Sequence, residues 1–150
     1  MGMSTPEYSD VTTEGVRVGA TAYYLPDHSD PDMGQYTFGY TIVIVNTGDS
    51  PVKLLSRHWV IVDAHGRREE VEGPGVVGQT PHLKPGEAFK YNSYCPLRTA
   101  WGTMEGTYHM RRDDGTPFDV SIGRFYLVSP RPEEEPRKQP AGRESRPSSK

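Results

Sequence analysis

The stretch EGPGVVGQTP, residues 72–81, sets Gly73, Gly75 and Gly78 in a G-x-G-x-x-G spacing. Glycines spaced this way let a backbone bend closely around an anion, and the amides of such a turn can cradle phosphate groups. Arg67, Arg68, His82 and Lys84 lie nearby in sequence and could add positive charge. A phosphate-containing small molecule, pyrophosphate or a nucleotide, is therefore one candidate ligand. The dinucleotide form of the motif must follow a strand and open a helix whose N-terminal amides hold the pyrophosphate. Here QTPHLKPGEAF follows, and Pro81 and Pro85 work against a helix. No Gly-Lys-Ser/Thr accompanies the glycines, and the His-Arg-Asp and Asp-Phe-Gly partners of a kinase glycine loop are missing. The simpler expectation is a strand connection whose glycines take positive φ or allow close backbone approach.

Other reactive residue types are scattered. His58, Asp63 and His65 suggest metal ligands, but positions 58 and 63 point to opposite faces of a regular strand, and a site needs three or four convergent ligands. Asp63 is expected to order a turn through its side chain instead. Cys95, the single cysteine, lies among Tyr94, Pro96 and Leu97 and reads as a packed small hydrophobe. Glu69 and Glu70 diverge in a strand and do not form an acid/base pair. The reading assigns no catalytic residue, no metal ligand and no cofactor. Trp59 is expected to reach the core, and Trp101, in the RTAWG turn, to be exposed as a contact residue.

The elements that must carry these residues are strands. Sixteen glycines and fourteen prolines divide the chain into short segments rich in Val, Ile, Thr, Tyr and Phe. Period-two alternation is clear over 15–24 and strongest over 35–46, where Tyr36, Phe38, Tyr40, Ile42 and Ile44 share a face. Further strands are expected over 52–63, 67–72, 88–94, 102–111 and 117–128, with hairpin tips at 64–66 and at Asp114-Gly115. No apolar stripe of helical period runs through three turns. Seven or eight short antiparallel strands predict an all-β sandwich of the immunoglobulin or fibronectin type III kind, free of disulfides.

Composition limits what such a domain would bind. The 150 residues suit one domain. Residues 1–128 carry 11 Lys+Arg against 16 Asp+Glu, and residues 129–150 carry 6 against 4, giving the net charge of −3. An acidic body argues against nucleic acid, which needs a basic surface. The segment 129–150, SPRPEEEPRKQPAGRESRPSSK, is too poor in apolar residues to form a core and is expected to be a disordered tail. The first ten residues are expected to be flexible, leaving 11–128 as the domain. One cysteine, no apolar run near ~20 residues and no leader-like N-terminus suggest a cytoplasmic protein without membrane insertion.

The run LLSRHWVIVDAHGRREEVEGPGVVGQTPHLKPGEAFKYNSYCPL (54–97), with GTMEGTYHM (102–110) and DVSIGRFYL (119–127), resembles the ApaG family over about residues 9–128. Its most specific pieces are Arg57-His58-Trp59, the Gly73-to-Gly78 loop, Pro85-Gly86-Glu87, Cys95-Pro96-Leu97 and Gly102-Thr103-Met104 with Gly106. The resemblance implies a fibronectin type III-like sandwich, an association with cobalt and magnesium efflux, and a domain used for protein binding. The expectation is a non-catalytic binding domain with a protein partner, or a second copy of itself as a homodimer. The rival is a nucleotide- or pyrophosphate-binding protein using the glycine loop.

Overall fold

The computed structural model describes residues 7–130. Nine strands run through them: β1 (Tyr8–Thr13), β2 (Val16–Tyr24), β3 (Tyr36–Asn46), β4 (Val52–Asp63), β5 (Arg68–Pro74), β6 (His82–Leu83), β7 (Ala88–Leu97), β8 (Trp101–Arg112) and β9 (Pro117–Val128). Single 3-10 turns at Pro26–His28 and Pro31–Met33 fill the polar stretch between β2 and β3. The strands form two antiparallel sheets, one ordered β1-β2-β3-β7 and the other β5-β4-β8-β9, with the short β6 paired to β4.

The alternation in sequence sets which residues fill the space between the sheets. Val16, Val18, Ala20 and Ala22 of β2 and Phe38, Tyr40, Ile42 and Ile44 of β3 are all buried. So are Trp59, Met104, Tyr108, Val120, Ile122 and Phe125 of the other sheet. At the centre, Trp59 stands edge-on to both Tyr40 (centroids 5.5 Å, 63°) and Phe125 (6.0 Å, 84°). Such pairs add about 0.5–1.5 kcal/mol each beyond the area they bury.

The two long sides of the sandwich differ. On one side β1 lies against β9: Ser9 Oγ donates to the Gly123 carbonyl at 2.8 Å, and Ser121 N–H donates to Thr13 Oγ1 at 3.2 Å. On the other side are β7 and β5. Among the described residues, β7 pairs only with β3 and β5 only with β4. Both therefore present a backbone edge.

The expected domain limits move at both ends. Tyr8, Ser9 and Asp10, placed in a flexible N-terminus, are already in β1 and pair with Thr21, Ala20 and Gly19. The strand is polar because it buries little, and it is held instead by its ladder to β2 and by Ser9. Ser129, placed at the head of the tail, is buried, and its N–H donates to the Ala100 carbonyl at 3.0 Å. The expectations for residues 1–6 and 131–150 lie outside the described residues.

Candidate functional site

The glycine loop is built around Arg57. Gly73 is the last-but-one residue of β5 and pairs with Arg57 of β4. The Arg57 guanidinium lies over it, and Nη1 donates to the carbonyls of Pro74 and Gly75, both at 3.0 Å. A Cβ on Gly73 would come 3.0 Å from that same Nη1. Gly75 takes φ +61, and a Cβ there would lie 2.3 Å from the Gln79 carbonyl oxygen. Its N–H donates to Leu55 O at 2.8 Å, while Val76 and Gln79 exchange N–H···O bonds of 2.8 Å in both directions. Val77 and Gly78, at φ +42 and +79, form the tip of that small hairpin. Two successive positive φ values are the signature of a type I′ turn. The amides of Gly75, Val76 and Gln79 thus serve the chain itself rather than converging on an external anion.

The basic residues near the loop in sequence are not gathered by the fold. Arg67 and Arg68 sit at the opposite end of β5, about 17 Å away for five residues of strand. There Arg67 Nε meets Asp63 Oδ2 at 3.1 Å and Arg68 Nε meets Glu70 Oε2 at 2.9 Å. His82 opens β6 and places Nε2 2.9 Å from Asp113 Oδ1. Lys84 follows that strand, its backbone N–H held by Glu87 Oε1 at 2.8 Å. The cationic groups nearest the loop tip in sequence are therefore placed in two groups, and Arg67, Arg68 and His82 each face a carboxylate.

The other candidates fall into structural roles. Asp63 Oδ1 accepts the N–H groups of His65 and Arg67, both at 2.9 Å, closing the hairpin tip as expected. Burial opposes its ionisation, but those amides and the Arg67 guanidinium outweigh it and hold the carboxyl below its ordinary value. His58 faces outward between Glu70 (2.8 Å) and Glu72 (3.5 Å). Among the described residues, no three of His, Cys, Asp and Glu gather closely enough to hold a metal ion. Cys95 is buried, and burial together with the Glu69 carboxylate pushes its thiol up to about 12. A thiol so shifted is protonated at neutral pH and is a poor nucleophile. Tyr91 and Tyr108 join their hydroxyls at 2.5 Å in the core, and burial raises both.

The most exposed aromatic surface lies elsewhere, on the outer face of the four-stranded sheet. Gly39 of β3 pairs with Tyr23 of β2 on one side and Tyr94 of β7 on the other. Direct cross-strand partners share a face, so the three stand side by side. The Tyr23 ring lies on bare Gly39: a Cβ there would be 2.3 Å from ring atom Cε2. Tyr94 is 70% exposed and Tyr23 42%. The next row is polar, with Thr41 Oγ1 donating to Asn92 Oδ1 at 2.6 Å. Sequence reasoning passed over Tyr23 and Tyr94. The available signal was Gly39, a glycine inside the strongest strand, which marks close approach by something large. Trp101 is exposed (45%), as expected, but it opens β8 rather than sitting in a turn, and it stacks on Tyr126 (6.2 Å, 23°). Trp59, 3% exposed, is in the core.

These features define an antiparallel β-sandwich of the fibronectin type III kind with a glycine hairpin closed on itself and an aromatic outer face. The ApaG domain profile matches residues 26–112. Protein ApaG of Anaeromyxobacter dehalogenans (strain 2CP-C) is 52% identical over 122 residues, 81% of this chain and 96% of that protein. Protein ApaG of Bordetella pertussis is 53% identical over 114 residues, covering 76% and 87% respectively. The crystal structure of an ApaA protein from Bordetella pertussis superposes with a TM-score of 0.76 at 49% identity, covering 83% of this chain and 96% of that one. The chain belongs to the ApaG family.

Proposed function

We propose that this chain is a non-catalytic protein-binding domain whose contact surface is centred on β7, acting through its partner in a process linked to cobalt and magnesium efflux. One observation carries the reading: Tyr94, 70% exposed, sits on a ten-residue strand paired on one side only, beside Tyr23 across bare Gly39. An edge strand supplies main-chain donors and acceptors to an extended peptide, and pockets or rings on alternate residues add selectivity. Tyrosine is favoured at such contacts because it offers a large apolar area at small entropic cost. Trp101 on Tyr126 offers a second, smaller contact on the opposite outer face.

The chemistry of the side chains supports binding over catalysis. The thiol is buried and protonated, and the glycine-loop amides are engaged internally. The test is affinity capture from cell extract with the wild-type chain, Tyr94→Ala and a Tyr23→Ala/Tyr94→Ala double variant, each checked for unchanged melting. Proteins retained by the wild type and lost from both variants are the expected result. Equal capture by all three removes the β7 surface as the binding site.

A further inference from the structure

Arg57 differs from the other arginines of the fold. Arg17, Arg67, Arg68, Arg112 and Arg124 each face a carboxylate, and Arg98 and Arg111 are exposed to water. Arg57 is half-buried, and among the described residues no carboxylate pairs with it. It shares the parity of Trp59 and Ile61 on β4, so its side chain enters the space between the sheets. There it stands between its two register partners, Tyr108 of β8 and bare Gly73 of β5. That space opens between the edge strands β5 and β7, where Ser93, of the same parity as buried Tyr91 and Cys95, is itself half-buried.

Hydrogen-bond donors outnumber acceptors at this point. The Pro74 and Gly75 carbonyls take Nη1, both at 3.0 Å, and so fix the plane of the guanidinium. Nε and Nη2 have no acceptor among the described residues. Their hydrogens lie side by side along one edge of the group, the fork that a carboxylate accepts bidentately. Tyr91 and Tyr108 share a single bond of 2.5 Å between two hydroxyls, so one of their two hydrogens also lacks an acceptor among the described residues. Burial raises Tyr40, Tyr91 and Tyr108, and the Arg57 charge acts the other way on all three, which sets these hydroxyls within its field. Buried polar groups are satisfied as a rule, and a charge drawn out of water without a partner is costly. Glu69, the carboxylate that shares this face of β5, is four residues from Gly73, about 13 Å along the strand. An anion that only accepts hydrogen bonds would satisfy the free donors together.

We propose that Arg57 is the anchor of a carboxylate-binding site between the sheets, where its Nε–Nη2 edge takes both oxygens of a small organic acid and the Tyr91–Tyr108 hydroxyl pair supplies a further donor. The site uses a side chain and core hydroxyls, not the amides of the glycine loop, and does not rest on the outer face of β7. The test is NMR on the full chain in cold, mildly acidic buffer, following the Arg57 Nε–H and the Gly73 and Gly75 amides. Sodium acetate is titrated against sodium chloride at equal ionic strength, and inorganic phosphate is titrated separately. Arg57→Lys keeps the charge and loses the fork, and its spectrum identifies the Nε–H signal by its absence. Saturable shifts of all three signals with acetate and not with chloride, weakened at least about tenfold for the two amides in Arg57→Lys, are the expected result. Shifts that stay linear, that chloride reproduces, or that saturate only at other residues overturn the site. Saturation by phosphate and not by acetate overturns the carboxylate as its ligand. The comparison of acetate with chloride in the wild type decides the matter even where Arg57→Lys does not fold.

Discussion

Val77 is a β-branched residue at φ +42, a conformation that costs of the order of 1–3 kcal/mol outside glycine. Asparagine tolerates that region, so Val77→Asn is expected to raise stability by about 1 kcal/mol in urea unfolding. Its neighbours separate two reasons for glycine. At Gly78 an added Cβ meets nothing within 4 Å, so Gly78→Ala has only the backbone penalty, about 1 kcal/mol. At Gly75 the same methyl would enter the Gln79 carbonyl at 2.3 Å, and Gly75→Ala is expected to lose at least about 3 kcal/mol as the small hairpin opens. Equal midpoints for the two alanine variants would contradict this account. The glycine spacing was legible in the sequence, and so was its lack of helical context. The role of Arg57 was not, because the contact depends on residues 57 and 73 meeting across a β4–β5 ladder whose register no local pattern states.

At the scale of elements, the strands with clean alternation were legible: β2, β3, β4, β8 and β9 lie close to where their apolar periods place them. The weak ones were legible only in part: a strand was expected over 67–72, where β5 lies, but not its continuation to Pro74. β1 buries too little to show a period, β6 is two residues long, and β5 runs on through Gly73 and Pro74 because an edge strand tolerates both. The outer face of β7 escaped for the same reason, since a residue facing solvent leaves no hydrophobic period to read. Gly39 holds that face flat, and a methyl there must displace the end of the Tyr23 ring rather than backbone. Gly39→Ala is therefore expected to change stability by less than about 1 kcal/mol while moving the Tyr23 ring resonances and weakening partner capture as Tyr94→Ala does. Unmoved Tyr23 resonances would show that the ring does not rest on Gly39.

Across the whole molecule, the core holds ionisable groups that must stay neutral. Burial and the Glu69 carboxylate push the Cys95 thiol from 9.0 to about 12, and burial raises Tyr40, Tyr91 and Tyr108 above 10.0. Unfolding returns each to its ordinary value, so above pH 9 the unfolded chain releases protons that the folded chain retains. The stabilisation is complete below pH 9 and declines as pH rises toward the folded values. Each pH unit past the unfolded value removes about 1.4 kcal/mol per group. From pH 8 to 10.5 the thiol alone accounts for about 2 kcal/mol, and the raised tyrosines act in the same direction. Urea unfolding of the wild type is expected to lose at least roughly 2 kcal/mol over that interval. Cys95→Ala starts from a lower value at pH 8, because a packed side chain is gone, but falls less steeply by about 2 kcal/mol. Parallel slopes for the two chains would mean that Cys95 ionises as readily in the folded state as in the unfolded one, and that the space between the sheets at β7 is open to water.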